Sequence, residues 1–199
     1  MQLKSNPSIP MTIATLRPPL LLLFSRVYFA VKRKRPTVNA ALVLLASLLG
    51  KKSASIVLAD DDPEDREIFL EVISEVVPHV NVTIAKNGKE LMKLLLEKEE
   101  VPDILFLDLN MPFKNGQECL VEIRNSDKLK NIPVIIYSTS RSREHIDETF
   151  MSGANFYFPK PDSFRDLKTM ISRIFALDWD DLMKPRKDKF ILSVNQFRL

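Results

Sequence analysis

Between Ser53 and Leu177 the chain alternates short apolar runs with longer stretches in which apolar residues recur every three or four positions. Ile56–Ala59, Ile104–Leu107, Val134–Tyr137 and Phe156–Phe158 are continuous apolar runs. Runs this short, without polar alternation, predict parallel strands covered on both faces. Val80–Ile84 alternates and predicts a strand with one wet face. Helical spacing joins Ile68, Phe69, Val72, Ile73, Val76 and Val77, then Leu91, Leu94 and Leu95, then Leu120 and Ile123. It returns at Ile146 and Phe150, and in the stripe Leu167, Met170, Ile171, Ile174 and Phe175. Five strand-helix units in succession predict an α/β domain, a doubly wound five-stranded parallel sheet with helices on both faces.

The boundaries carry their own signals. Asp62 is the expected N-cap of the first helix, with Pro63 at its first position and Glu64 and Asp65 complementing the helix dipole. Asn87-Gly88 signals a turn, Ser142 a cap, and Ser163-x-x-Asp166 a capping box with Asp in the Glu/Gln position. Phe190–Val194 reads as a short strand or a docking segment within a C-terminal tail, 178–199.

Four of the five strands give way to polar groups of related chemistry. Asp60-Asp61-Asp62 comes after the first apolar run, Asp108-Leu109-Asn110 after the third strand, Ser138-Thr139 after the fourth and Lys160-Pro161 after the fifth. In a parallel sheet these groups emerge on one edge, where ligands of open α/β sheets bind. Magnesium takes hard oxygen ligands and keeps several waters. Asp61 and Asp108 each offer an oxygen, the backbone carbonyl at Asn110 another, and Asp60 acts through a bound water. Asp61/Asp62 is a rival to Asp60/Asp61, but capping the helix is a sufficient task for Asp62. A carboxylate here can attack phosphorus to form an aspartyl phosphate. Lys160 then supplies a second positive contact to the phosphoryl oxygens and Ser138 a hydroxyl donor.

Charge divides the chain. Residues 1–52 hold nine Lys/Arg and no acid, whereas 53–199 carry −6, which together make the net +3. The basic total therefore gives no ground for a nucleic-acid partner. Leu20–Val31 and Ala40–Leu49 are too short to span a bilayer as helices, and they flank the basic cluster Lys32–Arg35. Three readings stay open for 1–52: a membrane-surface anchor, an organellar presequence, or a poorly ordered extension from an early start, the last favoured by the abrupt break in composition. Cys119 is the only cysteine, so no intramolecular disulfide forms, which suits a reducing cytoplasm. His79 and His145 read as ordinary surface residues.

Taken together, the stretches Ile56–Pro63, Ile104–Pro112 with Asn115-Gly116, Pro133–Thr139, and Gly153-Ala154 through Tyr157 to Lys160-Pro161 resemble the receiver domain of two-component response regulators, of the stand-alone chemotaxis-regulator type. The resemblance covers about 54–177, so the chain divides into an extension 1–52, a receiver domain 53–177 and the tail. It implies a flavodoxin-like fold, with Asp108 as phosphoacceptor and Asp60 and Asp61 as the acidic pair for Mg2+. It implies Ser138 as switch hydroxyl, Tyr157 as the aromatic switch that moves inward on activation, and Lys160 as the family lysine, followed by a peptide bond that is often cis. Gly88, Gly116 and Gly153 fall in loops where the family favours glycine. Asn115-Gly116 replaces the common Asp-Gly, and Pro159 before Lys160 is unusual.

The implied partners are a histidine kinase or phosphotransfer protein and an unidentified downstream protein, with no output domain following. Two other classes compete. One is a magnesium-dependent phosphohydrolase with an Asp nucleophile, which would need an acid where Asn110 stands. The other is a receiver-like scaffold that is never phosphorylated, against which the intact acidic set argues.

Overall fold

Five strands pair in parallel in the order β2-β1-β3-β4-β5. The computed structural model describes residues 54–78, 80–177, 182–183 and 186–192. The readings made for 1–52, for His79 and for the end of the Phe190–Val194 run lie outside them. In chain order the elements are β1 (Ala54–Ala59), α1 (Pro63–Val76), β2 (Val80–Ala85), α2 (Gly88–Glu97), β3 (Ile104–Leu107), α3 (Gly116–Asn125), β4 (Val134–Ser138), α4 (Arg143–Met151), β5 (Phe156–Pro159) and α5 (Phe164–Ile174). Among the described residues after α5, a 3-10 turn forms at Lys187–Lys189. The doubly wound, flavodoxin-like fold read from the sequence is the one observed; its strand order is a standard doubly wound order whose ligands bind at the carboxyl edge.

Burial explains the unbroken apolar runs. Ile56 and Leu58 face one side of the sheet with Phe69, Val72, Phe106, Tyr137, Met170 and Ile171. Val57 and Ala59 face the other with Leu91, Leu95, Leu107, Cys119, Leu120 and Ile136. Successive side chains of a strand point to opposite faces, so two covered faces leave no polar position. β3 and β4 are buried throughout, whereas β2 at the sheet edge is half-buried along most of its length, with Asn81 exposed and Ala85 buried.

Caps set where the helices begin. The Asp62 side chain accepts from the Glu64 and Asp65 amides, and Pro63 opens α1 as its position suggests. Asn87 caps α2. At α3 a full capping box joins Asn115 and Glu118, a pattern not anticipated from sequence. At α5 the Ser163 hydroxyl accepts from the Asp166 amide. Ser142 sits at the N-cap of α4 but makes no side-chain cap bond.

Candidate phosphoacceptor site at the carboxyl edge of the sheet

The backbone ladder runs one residue past three of the strands, and that extra step places the chemistry. The Asp60 amide donates to Ala85 of β2 at 3.0 Å, the Asp108 amide to Ala59 of β1 at 2.9 Å, and the Lys160 amide to Ser138 of β4 at 2.9 Å. Two carboxylates and an ammonium are thereby held on one rim by main-chain bonds. Gly116 closes the loop after β3, its amide donating to the Leu109 carbonyl at 3.0 Å. A Cβ there would lie 2.0 Å from the Asp108 carbonyl oxygen, so only glycine lets the loop fold this closely under the acid. In the same loop Phe113 takes φ 66° and is exposed.

Lys160 is the hub. Its Nζ lies 2.8 Å from Asp60 Oδ2, 3.0 Å from Asp108 Oδ2 and 2.7 Å from Asp65 Oδ2. It also stands 5.2 Å from the centre of the Tyr137 ring. Burial pulls the ammonium toward neutrality, but the surrounding carboxylates outweigh it and hold Lys160 above its ordinary pKa. Asp60 has no exposed surface. Burial pushes its carboxyl up to about 6, against the pull of Lys160 and helped by the charge of Asp108.

The carboxylate oxygens are committed unequally. Asp60 Oδ1 accepts from the Asp62 amide at 3.0 Å, and Asp108 Oδ1 from the Asn110 amide at 3.2 Å. Asp60 Oδ2 has the 2.8 Å ion pair with Lys160 Nζ and no other donor. Asp60, Asp61 and Asp108 each offer an oxygen, and these lie within 4.8 Å of one another. A buried carboxylate oxygen whose sole partner is the Lys160 ammonium, beside two more hard donors, one of them on the exposed Asp61, fits a divalent cation that keeps part of its water shell. Asp62, the rival, is occupied at its cap.

Ser138 ends β4 fully buried, and its Oγ lies 3.4 Å from the Ser140 amide. Tyr157 is also fully buried; its hydroxyl donates to the Ser140 carbonyl at 2.8 Å. The ring named as the moving switch is therefore inward in this structure. The Lys160–Pro161 peptide, for which the resemblance suggested cis, is trans.

Two other residues stand outside the site. Cys119 is buried with its thiol 3.6 Å from the Gly88 carbonyl, and burial pushes the thiol up to about 12. His145 is exposed and shares a 2.8 Å bond with the Ser140 hydroxyl.

Sequence reasoning missed Asp65, which it assigned only to the dipole of α1. The available signal was Asp62-Pro63, which fixes the helix start and so turns the third helical residue toward the rim. Tyr137 was also missed; its signal was its place immediately before Ser138.

The fold and this acid-lysine constellation define a receiver domain. Residues 56–172 match the response regulator receiver domain family, and the chain belongs to it. It is similar to the response regulator Rcp1 of Synechocystis, with 30% identity over 124 residues, covering 60% of this chain and 84% of that protein. A chemotaxis protein CheY homolog of Campylobacter jejuni is 28% identical over 121 residues, covering 61% and 92%. Among solved structures, the phosphorylated cyanobacterial phytochrome response regulator RcpA matches with TM-score 0.58 and 29% identity, over 61% of this chain and 91% of that one. The Mn(2+)-bound form of Rcp1 matches with TM-score 0.57 and 28% identity, over 61% and 91%. Receiver domains are signalling domains that bind a divalent metal, take phosphoryl groups from histidine kinases and signal to downstream targets.

Proposed function

We propose that this chain is a phosphoacceptor in which Asp108 takes the phosphoryl group, with Mg2+ held by Asp60, Asp61, Asp108 and the Asn110 carbonyl. The observation that carries the reading is the contact of Lys160 Nζ with Asp108 Oδ2 at 3.0 Å, beside the clustered oxygens of Asp60, Asp61 and Asp108. Bound Mg2+ would offset charge on the equatorial phosphoryl oxygens. An Asp108 oxygen attacks phosphorus, the bond from phosphorus to the donor's imidazole nitrogen breaks, and that nitrogen keeps the electron pair. Lys160 shifts from the carboxylates to a phosphoryl oxygen, and the Ser138 hydroxyl donates to another.

The donor is a histidine kinase or phosphotransfer protein and the recipient of the signal a downstream protein, with Ser138 and Tyr157 as the switch. The domain proper is 53–177. Among the described residues no helix is long and apolar enough to cross a membrane. The reducing environment suited to a lone buried thiol supports a cytoplasmic location. The phosphohydrolase reading is weaker, because Asn110 stands where its general acid is required.

Incubation with acetyl phosphate, with and without Mg2+, followed by intact mass, tests this. One lasting phosphate that requires Mg2+ is expected. Phosphate released over many turnovers would favour the hydrolase, and no labelling at all would favour the scaffold.

A further inference from the structure

β5 is the last strand of the sheet, and such an edge presents unpaired backbone groups. Here the edge is taken by the chain itself. The Tyr157 amide donates to the Phe190 carbonyl at 2.8 Å, and the Leu192 amide donates to the Tyr157 carbonyl at 2.8 Å. The two bonds make a parallel bridge between Tyr157 and Ile191. Phe190 and Leu192 are buried while Ile191 faces outward. The Phe190 ring meets Phe150 of α4 edge-on at 5.0 Å and Tyr157 at 6.3 Å. Lys187 lies 5.9 Å above the Phe150 ring and 3.5 Å from the Asp147 carboxylate of α4.

This segment holds the residue that links it to the site. Tyr157 is pinned by the two backbone bonds and the Phe190 ring, and its hydroxyl holds the carbonyl of Ser140 in the loop between β4 and α4. That loop begins at Ser138, whose carbonyl receives the Lys160 amide, and Lys160 lies three residues beyond Tyr157. The docked segment, the Ser138–Ser140 loop and the Lys160 backbone thus form one contiguous packed and hydrogen-bonded chain.

We propose that residues 186–192 are an intramolecular ligand of the α4–β5 face, a strand that clamps Tyr157 and couples occupancy of that face to phosphorylation at Asp108. The coupling rests on the phosphoacceptor reading, whereas the clamp stands on the packing alone. With the segment docked, the loop bearing Ser138 is organised before the phosphoryl group arrives. By reciprocity, phosphorylation tightens the docked strand. A protein that binds at α4 and β5 has to displace Phe190, so the segment also competes with such a partner.

The test uses the full chain, wild type and the variants Phe190→Ala and Leu192→Pro. The first removes the ring. The second removes one of the two amide donors and leaves the ring in place, and it decides the matter if the first fails to fold. Amide hydrogen exchange is expected to show Tyr157 and Leu192 protected together in wild type and better protected after phosphorylation, with both protections lost in folded Phe190→Ala and that of Tyr157 lost in folded Leu192→Pro. A Leu192 amide that exchanges as fast as exposed loop amides in wild type overturns the clamp. Phosphorylation by acetyl phosphate with Mg2+, followed by intact mass, is expected in wild type, and protection of Leu192 is expected to rise roughly fivefold with it, the low end of coupling between sites. Equal protection of Leu192 before and after phosphorylation overturns the coupling. No mass shift in wild type overturns the phosphoacceptor reading and the coupling with it, and leaves the clamp to stand or fall on exchange.

Discussion

Lys160 Nζ donates to Asp65 Oδ2 at 2.7 Å, a bond between residues 95 apart that ties the end of β5 to the first turn of α1. It is shorter than the 3.0 Å contact of the same ammonium with Asp108. The lysine that must meet a phosphoryl oxygen is therefore shared with an acid outside the acidic pair and the proposed acceptor.

Asp65→Asn should quicken phosphorylation by a small anionic donor. The substitution removes one negative charge from the approach and leaves Lys160 fewer carboxylates to leave. Asp65 is partly exposed, so screening limits the gain to roughly two- to tenfold. Initial rates from intact mass at fixed Mg2+ check this, and an unchanged rate would mean that Asp65 does not restrain Lys160.

Asp108→Asn should abolish the mass shift, because the amide cannot attack phosphorus. Asp62→Asn should leave the shift intact, because Asn caps a helix about as well as Asp and the residue faces its cap. Peptide mapping of the labelled wild type locates the phosphate. Labelling of Asp108→Asn at the wild-type rate would refute the assignment.

Asp60 should make metal-free stability fall as pH rises. Its folded carboxyl titrates at about 6 against an ordinary 3.8, so the folded state holds the proton more tightly than the unfolded chain. The contribution is fully present below about pH 4 and is lost as pH climbs through about 6, an effect on the order of 2–3 kcal/mol. Asp60→Asn should therefore raise the melting temperature at pH 7.5 without metal and flatten this dependence. In wild type, Mg2+ should stabilise more at pH 7.5 than at pH 5, since cation and proton compete for one oxygen. Melting at both pH values, with Mg2+ or chelator, reads all three effects.

Arg124 should matter for folding and not for chemistry. From the last turn of α3 its guanidinium donates to the carbonyls of Gly153, Lys130 and Ile132 and to Asn155 Oδ1. Burial lowers its pKa to about 10, yet it stays charged at neutral pH. Gly153 receives one of these bonds at φ 88°, a conformation suited to glycine. Arg124→Ala removes four hydrogen bonds, two of them partly buried, and should cost about 2–4 kcal/mol. Arg124→Lys should recover only part of that, lacking the fork. Urea unfolding measures both, and labelling of the folded fraction should match wild type.

Much of the site was legible because its signals are local. A short run such as Ile104–Leu107 declares a buried strand by its own composition, and the polar residue that ends it, Asp108, must then stand on the carboxyl edge. The same holds for Asp60 and Lys160. The caps at Asp62 and Asn87 are similarly decided within a few residues of chain. The Asn115–Glu118 box was equally local, but the reading there stopped at the turn.

Other features depend on which elements become neighbours. The hold of Asp65 on Lys160 requires α1 to start beside the end of β5. The Arg124 fork requires the end of α3 to meet the loops flanking β4. Phe190–Val194 carried an apolar pattern that allowed either a strand or a docking segment, and only the open edge of β5 gave Phe190 its partners. Periodicity determines which face of an element is buried, because that follows from backbone geometry. Which distant polar atom a side chain reaches is decided by sheet order and helix placement, and these exist only once the whole apolar core has closed.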